Sequence, residues 1–100
     1  LLVILGEFGR TPRVNKTGGR DHWGNQCTLA FSGGGLKMGQ VIGRSDRTGS
    51  APATTPISSG NALATVMHTL FNLGEVRILP GIPTDVERTI TGNQPIQQLV

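Results

Sequence analysis

Five consecutive apolar residues, Leu1–Leu5, stand at the start of the chain and are stopped by Gly6. A run this short and continuous reads as a strand buried on both faces in a parallel or mixed sheet. The segment after such a strand leaves its C-terminal end, where open α/β sheets gather ligands in the loops beyond the strands. Here that segment is "GEFGRTPRVNKTGGRDHWG", residues 6–24, which sets Glu7, Asp21 and His22 beside Arg10, Arg13, Lys16 and Arg20 among glycines. The net charge of +3 is mild, yet four of the nine cations fall between residues 10 and 20. That concentration favours a local anion site over a surface that coats nucleic acid, and no aromatics interleave with the cations to stack on bases.

One hundred residues suit a single small domain with a thin core, and fifteen glycines against three Phe and one Trp place much of the backbone in turns. The apolar start without an initiating Met gives the expectation of a segment from a larger α/β domain, residues 1–100 forming one partial domain. No stretch approaches the roughly 18 apolar residues of a membrane span. Cys27, the only cysteine, can form no internal disulfide, and its place in "CTLAF" suggests core packing.

Further along, "CTLAF" at 27–31 and "GQVIG" at 39–43 read as strands, separated by "SGGGLKM", whose glycines permit a tight reversal. That stretch lacks the spacing of a phosphate-binding loop and is read as a flexible hairpin. Residues 44–56, "RSDRTGSAPATTP", read as a polar surface connection without a repeat. The clearest helix covers about 59–73: Ser58 or Ser59 caps it, Leu63, Val66, Met67, Leu70 and Phe71 form one apolar face directed at a sheet, and Gly74 stops it. His68 falls off that stripe and is expected at its flank. Residues 79–85, with two prolines and a glycine, read as a loop, and "PIQQLV" as a terminal helical turn.

Imidazole and carboxylate are both metal ligands, and glycine turns can bring Asp21 and His22 back to a strand end beside Glu7. The competing reading is structural: Asp21 caps a turn, His22 donates to backbone, Trp23 anchors the loop, and Glu7 with Arg10 makes a surface ion pair. A guanidinium at Arg10 also has the fork geometry that suits phosphate or sulfate. No hydroxyl lies in a recognisable nucleophile setting, so a nucleophile is expected outside these residues.

Three motifs in order, "GEFGRTPRVNKTGGRDHWG", "FSGGGLKMGQVIGRSDRTGS" and "ALATVMHTLFNLG", resemble the C-terminal part of the bacterial family labelled domain of unknown function 1501. That family is similar to the alkaline-phosphatase and sulfatase superfamily. The resemblance implies the C-terminal fragment of an α/β fold with a central sheet flanked by helices, and metal-dependent hydrolysis of phosphate or sulfate esters. By position, "EFGR" resembles the strand end that carries an Asp-His metal pair, with Phe8 where the imidazole would stand, and "RDHW" resembles the later loop that supplies another His. The resemblance thus implies Glu7, Asp21 and His22 as ligands for a divalent metal of the zinc or calcium class, and Arg10 and Arg20 as holders of the anion. It also implies a periplasmic or extracellular setting. The alternative is a noncatalytic protein of the same fold that binds sulfated or phosphorylated glycans through Arg10, Arg13, Lys16 and Arg20.

Overall fold

A computed structural model describes all of residues 1–100. Small sheets and helices are mixed, as expected of an α/β chain, in the order β1 (Leu2–Leu5), β2 (Gly9–Arg10), β3 (His22–Trp23), β4 (Leu29–Ser32), α1 (Ser59–Leu70), α2 (Leu73–Val76) and α3 (Thr84–Thr91). Two compact units are formed, one from Leu2–Phe31 with Val41–Pro56, the other from Leu1, Ser32–Gln40 and Ile57–Val100.

In the strand-bearing unit β1 pairs with β4, and β2 with β3, each pair a separate two-stranded sheet. The expected strand at Leu1–Leu5 is present, but it is not buried on both faces: Ile4 and Leu5 are 60% and 64% exposed. Within its sheet β1 has only β4 beside it. "CTLAF" becomes a strand only from Leu29, so Cys27 precedes the pairing and lies exposed instead of packing in a core. "GQVIG" forms no strand. Gly39 and Gly43 both take positive φ, which breaks the extended run at each end, and Val41 between them is 98% exposed.

Residues 44–56 form the expected connection, with one antiparallel bridge between Ser45 and Pro52. They also hold a repeat that the hydropathy pattern conceals. Asp46 Oδ1 accepts from the Thr48 N–H and hydroxyl and from the Ser50 N–H, while Asn15 Oδ1 accepts from the Thr17 N–H and hydroxyl and from the Gly19 N–H. The Gly18 and Gly49 N–H groups close the two turns onto the Asn15 and Asp46 carbonyls, at 3.1 Å each, and both glycines have positive φ. "NKTGG" and "DRTGS" are thus the same side-chain-capped turn written twice.

The bond from the Ser50 N–H, followed by that from the Thr48 hydroxyl, holds the Asp46 carboxyl below its ordinary 3.8. Because the folded state favours the carboxylate, this contribution is fully present above that value and is lost as the pH falls through the lower folded one. Urea midpoints measured downward from about pH 5 should therefore decline less in Asp46→Asn than in the unsubstituted protein, since an amide oxygen makes the same turn at Asn15 without titrating. An identical decline in both would remove Asp46 as a source of acid sensitivity.

In the helical unit α1 begins as expected. Ser58 accepts from the Asn61 N–H while the Asn61 side chain returns to the Ser58 N–H, a reciprocal cap. The helix ends at Leu70, not Leu73, because Phe71 is extended and Asn72 caps the separate turn α2 by accepting from Gly74. Gly74 therefore lies inside α2 and stops nothing. The apolar stripe is rotated from its expected centre: Ala64 and Thr65 are buried, Leu63, Val66 and Met67 are half-buried, and Leu70 is 56% exposed. The reason is the partner within this unit, since α1 packs on α3. His68 is exposed, at the flank as expected.

Thr65, fully buried, organises this unit. Its hydroxyl donates to the Asn61 carbonyl at 2.8 Å and accepts from the Ile96 N–H at 2.9 Å, fastening the C-terminal segment to α1. The expected terminal turn is present, closed by Leu99 N–H on the Ile96 carbonyl, with Ile96 and Leu99 buried. The loop expected at 79–85 ends at Pro83, where α3 starts.

Candidate functional site

The first turn of residues 6–24 builds a hairpin. Strands β2 and β3 pair antiparallel with Gly9 opposite Trp23 and Arg10 opposite His22. Beyond the ladder, the Thr11 N–H donates to the Asp21 carbonyl at 3.0 Å and the Asp21 N–H donates to the Thr11 hydroxyl at 3.1 Å. The Asn15 turn folds the tip, and the Asn15 amide donates to Asp21 Oδ1 at 2.9 Å. Arg20 braces the entry by donating Nη1 to the Thr11 and Pro12 carbonyls at 2.7 and 2.6 Å. Loop sequence and ladder sequence are therefore one cooperative device. Without the two side-chain braces the eleven-residue connection would have to fix the register through a pair of two-residue strands alone.

Residues directly opposite in an antiparallel ladder share a face. Arg10 and His22 form such a pair, and both are exposed. The His22 ring stacks on Phe8 with centroids 3.9 Å apart and planes tilted by 31°, and the Arg10 guanidinium carbon lies 5.3 Å from the centre of the same Phe8 ring. Phe8 is thus a platform. An aromatic at that position supplies no ligand of its own, but it holds an imidazole delivered from across the hairpin and a cation beside it.

The remaining residues of interest are distributed differently. Glu7 is exposed next to the platform, Asp21 has one oxygen engaged by Asn15, and Arg20 has one terminal nitrogen committed to the loop. Arg10 spends only a long 3.4 Å contact on the Arg20 carbonyl, so it is the freer of the two guanidinium groups. No group of three or more His, Cys, Asp and Glu side chains comes together in a way that could hold a metal ion, so Glu7, Asp21 and His22 do not form a closed three-ligand set in this chain. No helix is long and apolar enough to cross a membrane.

The sequence profile of a family described as "Protein of unknown function (DUF1501)" matches residues 1–81. The chain belongs to this family. No curated protein and no solved structure matches it. The DUF1501 match takes in the hairpin, the Phe8 platform and both side-chain-capped turns, and ends just before α3.

Two contributors to the site, Phe8 and Asn15, were not legible in advance, nor was the matching turn at Asp46. Phe8 was read as the loss of a ligand, whereas it supports His22. Asn15 and Asp46 were unremarked, although the paired strings "NKTGG" and "DRTGS" carry the signal: Asn or Asp two residues before Thr and three before Gly.

Proposed function

We propose that this chain supplies the anion-recognition hairpin of a metal-dependent hydrolase acting on phosphate or sulfate esters. The observation that supports this reading is the exposed Arg10–His22 pair on one ladder face, held in place by Phe8. Arg10 would fork onto two oxygens of the ester anion, and the nitrogens of Arg20 not used by the loop would extend the positive field. His22 would offer a nitrogen donor for a zinc- or calcium-class ion, with Glu7 and the unengaged Asp21 oxygen as carboxylate candidates. Such a metal, when bound, neutralises charge on the ester oxygens. The likeness of "EFGR" and "RDHW" to strand-end and loop motifs of the alkaline-phosphatase and sulfatase superfamily agrees with this assignment.

His22→Ala tests it. Assayed in the protein that also supplies the nucleophile, metal content by elemental analysis, and turnover of 4-nitrophenyl phosphate and 4-nitrophenyl sulfate, should fall by roughly tenfold or more while the thermal melt stays in place, because an exposed ligand contributes little to packing. Unchanged metal and turnover with a lowered melt would make His22 a packed turn residue and nothing more. Absence of both metal and turnover from that protein without the substitution would also count against the hydrolytic reading.

A further inference from the structure

Residues 94–100, "QPIQQLV", form neither helix nor strand, yet their backbone is bonded repeatedly from outside the segment. The Gln94 carbonyl accepts from the Asn61 amide at 2.9 Å, and the Ile96 N–H donates to the Thr65 hydroxyl at 2.9 Å. The Gln98 carbonyl accepts from the Gln40 amide at 2.8 Å, the Leu99 carbonyl accepts from the Lys37 N–H at 2.8 Å, and Lys37 Nζ reaches the Val100 oxygen. Of the side chains, Pro95, Ile96 and Leu99 are buried while Gln97 and Gln98 between them are exposed. Main-chain bonds combined with apolar anchors at intervals are how a folded surface holds a separate peptide.

The element that carries this segment is held less firmly than the segment itself. Helix α3 packs on α1 and α2, but none of its residues is buried. It follows the connection at residues 79–83, where Pro80 and Pro83 restrict the backbone and Gly81 turns it with a φ of 88°. Residues 84–100 are therefore an arm on a proline-bounded hinge, fastened mainly at its far end. The groove that receives it is built by Asn61 and Thr65 on α1 and by Lys37 and Gln40 in the loop after β4, all within one compact unit.

We infer that this groove is an interface between copies of the chain, in which the arm of one copy seats residues 94–100 in the groove of another. A second copy is the occupant the surface already fits. It brings Ile96 and Leu99 at the right separation with the same backbone donors and acceptors, so no contact has to be created and only the hinge changes. Reciprocal exchange of two arms closes at a dimer. The interface uses none of Arg10, His22 or Glu7, so it stands or falls apart from the hydrolytic reading.

An arm tethered beside its own groove acts at an effective concentration on the order of millimolar, so exchange requires copies at a comparable concentration while the arms are released. The full chain, unfolded in urea and refolded at about 1 mM, should yield a dimer by light scattering, whereas refolding at about 10 µM should yield monomer. In a dimer refolded from equal parts of isotope-labelled and unlabelled chains, the Ile96 amide of a labelled copy should show magnetisation transfer to the Thr65 side chain of an unlabelled one. Ile96→Ser combined with Leu99→Ser should lower the dimer yield roughly tenfold, because both apolar anchors are removed. The labelled mixture needs no substitution, so it decides the outcome even where the double variant does not fold. Monomer at both concentrations, a dimer without the cross-copy Ile96–Thr65 contact, or a folded double variant that dimerises as well as the unsubstituted chain would each overturn the exchange.

Discussion

Gly9→Ala is expected to collapse the hairpin, at a cost of about 3 kcal/mol, the upper part of the range for forcing atoms into filled space. A Cβ on Gly9 would overlap the Gln26 backbone carbonyl oxygen and lie 3.1 Å from the Trp23 carbonyl oxygen. Both obstacles are backbone, so neither can rotate away; either β2 leaves β3 or the chain after β3 moves. Separation of the ladder would part Arg10 from His22, so anion-induced changes on that face should disappear. Gly24→Ala is the control, because a Cβ there meets nothing within 4 Å and the φ is ordinary. Denaturant melts of the two variants should differ by most of the predicted cost. A Gly9→Ala protein as stable as Gly24→Ala would mean that the close approach of residues 9 and 26 is not a feature of the folded chain.

Thr65→Val should be the most damaging near-isosteric change in the helical unit. The valine fills the same space, but the Ile96 N–H, buried against α1, loses its acceptor. Leaving such a donor unsatisfied costs about 1–3 kcal/mol, more than the net value of an average hydrogen bond, because desolvation is no longer repaid. Thr65→Ser restores the hydroxyl and removes one methyl, for which about 1 kcal/mol is expected from lost apolar burial. Hydrogen exchange at Ile96 distinguishes the causes: it should accelerate strongly in Thr65→Val and little in Thr65→Ser. Equal protection in both would assign the role of Thr65 to packing.

Local signals in the sequence were reliable where the chain satisfies itself locally. Ser58 with Asn61 announces the start of α1, and the apolar run Leu2–Leu5 announces β1, because a cap and a strand run are written in neighbouring residues. Burial was less legible because it depends on partners that periodicity does not name. The stripe centred on Leu63 and Leu70 presumed a sheet; a helical partner recentred it on Ala64 and Thr65. "GQVIG" looked like a strand only if its glycines are ignored, and their positive φ denies Val41 a ladder. Helix α3 carries little hydropathy signal because Val86 and Ile90 are its only apolar pair, although Pro83 before it and Asp85 and Glu87 in its first turn are helix-start signals.

The same division runs through the site. Residues 6–24 stood out for their charge, and five of the residues singled out there, Glu7, Arg10, Arg20, Asp21 and His22, do belong to one hairpin with its flank. Their separate duties became visible only with the register. Arg20 and Asp21 hold the loop, Arg10 and His22 share a face, and Phe8 carries them both.

The central claim, that Arg10 receives an oxyanion on the ladder face it shares with His22, is tested most directly by following imidazole resonances during a titration with inorganic phosphate and then sulfate. The chain has two histidines, and His68 on α1 is an internal control outside the hairpin. The His22 ring signals should move along a saturable curve while those of His68 stay still, and Arg10→Ala should flatten that curve without changing the His68 signals. Movement of both histidines in parallel, or a His22 response that survives Arg10→Ala undiminished, would contradict the claim.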